Sequence, residues 1–379
     1  MTMFKKTDPN PQLDIFTAPS MQLGSRASKK YSDPNSWHNQ FYSLVTTKID
    51  EEIFKPLFPE GKKSGRPNAS IRILVAMSVL KEGFGCSDED LFEKCEFDLL
   101  TRKALGMELL TDVTPSIDTY YLFRRRICEY QERTGFDLMQ LCFEQLAGKH
   151  VHLLKISGKC VRMDSKLIGS NIARQSRYEL IHTTLVKFLK TCTLTHLSPE
   201  QEERAKEYLK EDSSKTVYRS DSDTLQSNLA RIGNFIMEML AAFPATSPAH
   251  DLLQRLFDEQ YVVMDGKAVL RDKKEVKADS LQNPNDPDAT YRAKNDQKVQ
   301  GYVTNITETV EEGKPNIITS VQVETAVFAD CHFLQEAVEN SERVTDSTIE
   351  DLYADGAYQS PDNREFAKNH NAMQLKTGK

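Results

Sequence analysis

The chain has 379 residues, 39% hydrophobic and 28% charged, with a formal net charge of −7. That length gives room for two or three domains with their own cores, and the composition is that of a globular chain, which excludes a disordered or fibrous protein. A net acidic chain is not coated uniformly in phosphate-binding surface, so any nucleic-acid contact has to come from local basic patches.

No apolar run approaches the length needed to span a bilayer, and Met1-Thr2-Met3-Phe4-Lys5-Lys6 lacks the apolar core of a signal peptide. A cytoplasmic protein without a membrane partner is expected. The seven cysteines are scattered without a Cys-x-x-Cys pair, which points to neither a zinc ribbon nor a disulfide framework but to small core residues. His150-Val151-His152 is the only close histidine pair, and it reads as a loop between a helix and a strand rather than a metal site.

Residues 1–40 are rich in Pro, Asp, Ser and Lys without a sustained period, and an extended arm is expected. From Phe41 an apolar stripe of Leu44, Ile49, Ile53 and Phe54 predicts a helix that Pro56 and Pro59 end. Gly65-Arg66-Pro67-Asn68 reads as a turn with Asn68 as cap of a helix from Ala69 to Glu82, closed by Gly83 and Gly85. Ser87 with Asp90 opens another helix. Thr114-Pro115 opens a long one that reaches Arg133 and stops at Gly135. Residues 41–150 therefore read as an all-helical domain of helix-turn-helix type. On its last long helix, Arg124-Arg125-Arg126 with Tyr120 and Tyr121 beside them has two readings, a solvated face or a patch that binds DNA phosphates.

Residues 151–379 change character. A strand over 161–168 is followed by a helical insertion at about 172–262, with a capping-box start at Ser198-Pro199-Glu200-Gln201 and a stripe from Leu225 to Phe243. Past the turn-rich 283–289, residues 300–308 and 317–324 alternate around Glu311-Glu312-Gly313-Lys314-Pro315 and predict an antiparallel hairpin. A helix from Cys331, a strand ending at Asp355 and a helix from Ser360-Pro361 complete a mixed α/β sheet.

Two acids fall on these strand patterns. Asp164 faces away from Val161, Met163 and Leu167, and Asp355 ends the later strand at a glycine. Asp is depleted from strands and costly to bury unless paired. The two read either as acids that merely edge a strand or as parts of one site for a hard divalent cation, which takes oxygen ligands and works on phosphate.

Several blocks resemble a known family. Gly65-Arg66-Pro67-Asn68, the helix from Ile71 to Gly85, Ser87-Asp88-Glu89-Asp90-Leu91-Phe92 and Tyr120-Tyr121-Leu122-Phe123-Arg124-Arg125-Arg126 resemble the N-terminal domain of bacterial insertion-sequence transposases. Asp164-Ser165-Lys166, Asp286-Pro287-Asp288-Ala289-Thr290-Tyr291-Arg292 with Gly301-Tyr302, and Ala354-Asp355-Gly356-Ala357-Tyr358 resemble successive blocks of their DDE catalytic domain. The resemblance runs in order over residues 41 to 370.

It implies an RNase H-like fold, Mg²⁺ or Mn²⁺ as cofactor, and cleavage and strand transfer of double-stranded DNA between transposon terminal repeats and a target, by a homo-oligomer on DNA. Asp164 would be the first catalytic acid and metal ligand and Asp355 the second. Arg292, Lys294 and Lys298, near the Asp-Pro-Asp block, would hold DNA phosphates or form a solvated loop. The family's third acid, a glutamate well downstream of the second aspartate, has no counterpart here. Glu365 is too close to Asp355. The chain is therefore expected to be catalytically incomplete, and the alternative is a non-catalytic DNA-binding derivative that regulates or inhibits transposition.

Overall fold

In the computed structural model, whose described residues are 4, 19–58, 67–243, 247–294, 297–371 and 373–377, the α-helices between Ile71 and Gln260 start at side-chain caps. The side chains of residues 20, 21, 294 and 297 lie outside that description. The chain divides into two units: Met1–Val161 with Glu308–Thr319 and Glu339–Glu350, and Arg162–Thr307 with Ser320–Val338 and Asp351–Lys379.

The first unit begins with α1 (Pro19–Gln22), α2 (Ser25–Tyr31) and α3 (Trp37–Leu44), then 3-10 turns at Thr46–Lys48 and Glu51–Leu57. It continues with α4 (Ile71–Phe84), α5 (Asp88–Phe97), α6 (Leu99–Leu105), α7 (Ile117–Thr134) and α8 (Leu138–Leu154). The extended arm expected over 1–40 is corrected in its described part, where residues 25–31 and 37–44 are helical. These helices are too short to hold by propensity and depend on packing, with Tyr31 and His38 buried and the His38 ring bonded to the Tyr31 carbonyl at 2.9 Å. Of the Gly65-Arg66-Pro67-Asn68 turn, Gly65 and Arg66 lie outside the described residues.

Two caps move by two residues from their expected places. Ser70, not Asn68, caps α4 by accepting from the Ile73 N–H, and Ser116, not Thr114, caps α7 by accepting from the Thr119 N–H. At α4 the reason is tertiary: the buried Glu51 carboxylate accepts from the Arg72 N–H at 2.9 Å and from the Ser70 hydroxyl at 3.2 Å. An anion held against the positive end of a helix fixes where that helix starts. The Ser87–Asp90 capping box and the Gly135 stop, at φ +75°, lie where the sequence puts them. Phe54, Ile71, Leu74, Met77, Leu91, Tyr120 and Phe123 form the core of this unit.

The second unit holds most of a six-stranded sheet. Its first strand, β1 (Cys160–Gly169), leads into α9 (Arg177–Leu189), α10 (Pro199–Lys210), α11 (Ser213–Arg219), α12 (Ser222–Ala242) and α13 (Pro248–Gln260). These bury their own core of Ile181, Leu185, Phe188, Ile232, Phe235, Ile236, Leu253 and Leu256. A separate hairpin closes the insertion, β2 (Tyr261–Met264) against β3 (Lys267–Leu270), around Asp265 and Gly266 at φ 50° and 74°. Asp-Gly with both residues at positive φ is a strong two-residue hairpin signal.

The chain then enters β4 (Thr290–Lys294), β5 (Gln297–Thr309), β6 (Ile318–Thr325), α14 (Leu334–Thr345), β7 (Asp351–Ala354), α15 (Pro361–Asn369) and β8 (Gln374–Thr377). The strand order is β4-β5-β1-β7-β8, with β6 also paired to β5. β4 runs antiparallel to the start of β5, from Thr290↔Gly301 to Lys294↔Gln297, while β7 and β8 are parallel and joined across α15. The sheet is thus mixed, as the sequence predicts, and β4 and β8 are strands it did not reveal. Asp286, in the Asp-Pro-Asp block, fastens the far end of the insertion to the sheet. Its carboxylate accepts from the Ser170 hydroxyl at 2.5 Å and from the Tyr302 hydroxyl.

Candidate active site

β1 and β7 are hydrogen-bonded neighbours although nearly two hundred residues separate them in the chain. From β1 the chain travels to one side of the sheet, through β4, β5 and β6, and from β7 it travels to the other side, to β8. The strand order therefore reverses between β1 and β7, and in open α/β sheets such a reversal opens the crevice where ligands bind.

Of the two predicted acids, Asp164 lies on β1 and Asp355 directly follows the end of β7. Burial alternates along β1, with Val161 and Met163 buried and Arg162, Asp164 and Lys166 exposed. Asp164 Oδ1 accepts from the N–H of Ser165 at 2.9 Å. Asp355 is exposed one residue past β7, and its Oδ1 accepts from the Ala357 N–H at 2.8 Å as the cap of the 3-10 turn Gly356–Tyr358. Three residues past Asp355 lies Tyr358, fully buried. Burial first of all, and then the negative charges of Asp330, Asp164 and Asp355, hold its phenol well above the usual range, against a hydrogen bond from Ser165 that lowers it. One hydroxyl thus feels both acids.

The donors suit a hard cation. Asp164 on β1 and Asp355 just past β7 are two exposed carboxylates, each with one oxygen tied to a local backbone N–H, and Mg²⁺ is commonly held by one or two carboxylates with water and phosphate completing the shell. No group of three or more His, Cys, Asp or Glu side chains that could hold a metal occurs among the described residues. His150 and His152 sit two apart on α8, not on a loop as expected. Residues so spaced on a helix do not face each other, and His150 bonds to the Leu44 carbonyl at 2.7 Å.

The basic residues divide. Arg124 is half exposed, 3.9 Å from Asp88 and over the Tyr120 ring; Arg125 is exposed and 3.6 Å from Glu129; Arg126 lies over the Phe58 ring. Successive helix positions point about 100° apart, so the triplet is not one row. Arg292 is turned inward: its Nη1 donates to the carbonyls of Ala326 and Phe328 and to Oδ1 of the buried Asp330 at 3.2 Å. That set makes Arg292 a support for the turn before α14, where the sequence left it open between a phosphate ligand and part of a solvated loop. Lys298 is exposed, with its carbonyl bonded by Arg174, and the Lys294 side chain lies outside the described residues. Arg162 and Lys166 flank Asp164 on the same exposed face of β1, and the alternation of that strand was the signal that could have singled them out.

An all-helical region ahead of a mixed α/β sheet, with two carboxylates where the strand order reverses, is the class of protein the fold defines. Residues 30–126 match the family model described as a transposase domain (DUF772), a stretch of about a quarter of the chain that runs from α2 into α7. The match supports a transposase family over this part of the chain. No curated protein and no solved structure matches the chain. No helix among the described residues is long and apolar enough to cross a membrane.

Proposed function

We propose that this protein is a DDE-type transposase of an insertion sequence, with an RNase H-like sheet, that binds transposon ends as an oligomer and cuts and transfers DNA strands with a divalent metal. The observation that carries the reading is the placement of Asp164 on β1 and of Asp355 just past the end of the neighbouring β7, at the reversal of strand order. The order β6-β5-β1-β7-β8, with a meander on one side and a parallel strand on the other, supports the RNase H-like reading, and the transposase-domain match supports the substrate.

Asp164 and Asp355 would hold Mg²⁺ or Mn²⁺. Such an ion, when bound, polarises a phosphodiester and favours attack by water or a 3′-hydroxyl. The chain's own part is to present the two carboxylates at fixed positions, Asp355 by its bond to the Ala357 N–H, and to draw in the DNA backbone. Arg162 and Lys166 on either side of Asp164, with Lys298, Arg124 and Arg125 elsewhere on the surface, supply positive charge that offsets repulsion between phosphates and acids.

A second reading, a non-catalytic derivative that occupies transposon ends and regulates transposition, is favoured by the lack of a three-ligand metal group among the described residues. The test is cutting and joining of labelled end DNA with Mn²⁺. Loss of cutting in both Asp164→Asn and Asp355→Asn supports the enzyme, and salt-sensitive end binding without cutting supports the regulator. A wild-type protein that neither binds nor cuts DNA sinks both.

A further inference from the structure

Asp355 does not lie within β7. It stands one residue beyond the strand, at the head of a 3-10 turn only three residues long. So short a turn fixes several dihedral angles for very few hydrogen bonds and does not hold itself in place. The position of the carboxylate therefore depends on whatever anchors the turn.

The anchor is Tyr358. Its hydroxyl donates to Oδ1 of Asn305 at 2.6 Å, in the middle of β5, and both side chains are fully buried. Asn305 Nδ2 donates to Oε1 of Gln322 on β6 at 2.9 Å. Gln322 Nε2 donates in turn to Oε2 of Glu336 at 3.0 Å and to the Phe333 carbonyl at 3.3 Å. Every donor in this row points away from the acids and toward Glu336, so the amides have a single consistent orientation. From the other side, Nδ2 of the buried Asn363 donates to the Tyr358 carbonyl at 2.9 Å and to the Cys331 carbonyl at 2.7 Å. Buried polar groups that are all paired are rigid, because each lost bond leaves an unsatisfied group in a low-dielectric interior.

We infer that Tyr358 is a positioning residue for Asp355, clamping the turn that carries this carboxylate to Asn305 so that it stays beside Asp164. The inference rests on the proposal that the two acids hold a divalent cation. Groups that orient metal ligands without touching the metal change affinity by about 10- to 100-fold when removed.

The test uses the full chain with Tyr358→Phe, which keeps the ring and removes the hydroxyl. The control is Tyr261→Phe, which removes a buried tyrosine hydroxyl bonded to the Leu229 carbonyl in the helical insertion. Hydrogen exchange of the 352–360 backbone and Mn²⁺ binding by paramagnetic resonance are read on both, with Asp164→Asn as the site control. Tyr358→Phe is expected to speed exchange in that segment and weaken Mn²⁺ binding about tenfold, while Tyr261→Phe changes neither. Unchanged exchange in Tyr358→Phe overturns the clamp, and faster exchange with unchanged Mn²⁺ affinity overturns its role in positioning. If wild type binds Mn²⁺ no better than Asp164→Asn, the metal proposal fails. Exchange then decides the clamp alone: a change confined to 352–360 upholds it, and a change spread over the chain overturns it.

Discussion

Gly301 of β5 lies directly against the end of β1: a Cβ added there would come within 2.2 Å of the Ile168 carbonyl oxygen and 2.6 Å of the Ser170 nitrogen. Neither neighbour is a flexible side chain, and the Ser170 N–H already donates to the Gln300 carbonyl at 2.8 Å. Gly301→Ala has to push the two strands apart. The expected cost is about 1–3 kcal/mol, the range for overpacking a tight interior, read as a lower midpoint in urea unfolding. An unchanged midpoint would mean that β5 and β1 are less closely opposed at this point.

Arg292 and Asp330 give a second prediction, one that separates structure from DNA binding. Asp330 is 4% exposed, and loss of the guanidinium takes a charged partner away from a buried carboxylate. Arg292→Gln is expected to destabilise the protein by about 2–4 kcal/mol, and Asp330→Asn in the same chain to recover part of that loss. Weaker DNA binding with a shallower salt dependence and an unchanged thermal midpoint would instead return Arg292 to the phosphate role.

Thiol chemistry follows burial. Burial pushes the Cys95 thiol up to about 12 and the Cys142 thiol up to about 11, so neither supplies thiolate at neutral pH, whereas Cys128 is exposed on α7. Alkylation of the folded protein at pH 7.5 should label Cys128 and spare Cys95 and Cys142 until denaturant is added. Early labelling of Cys95 would show that the core of the first unit opens under native conditions.

In the helical insertion, burial lowers the pKa of His182 from its ordinary value of 6.5, against the charge of Glu211, the bond to the Tyr208 carbonyl and the charge of Asp212. The Tyr178 ring stacks on it, and the Tyr178 hydroxyl is bonded to Glu211 at 2.7 Å. The folded protein therefore holds the imidazole proton less tightly than the unfolded chain. Its neutral form contributes stability that is complete above about pH 6.5 and is lost as the pH falls below that value. Wild type should lose more stability than His182→Gln between pH 7 and pH 5, and parallel curves would rule this contribution out.

How much of this was legible in the chain depends on the range of the interaction. The Ser87–Asp90 and Ser198–Gln201 capping boxes, the Gly135 stop, the stripe on α12 and the β5–β6 hairpin are set by residues within a few positions of each other, so the sequence determined them. The start of α4 was misplaced because the buried carboxylate of Glu51, some twenty residues away, selects Ser70. The sequence marked Asp164 and Asp355 as acids out of place on strands. That β1, which carries Asp164, neighbours β7, which Asp355 directly follows, that Arg292 turns inward to Asp330, and that Tyr358, in the turn after Asp355, bonds to Asn305 are decided only by the tertiary structure. The order of strands and the pairing of buried polar groups join residues tens to hundreds of positions apart, and no local period or spacing records such a meeting.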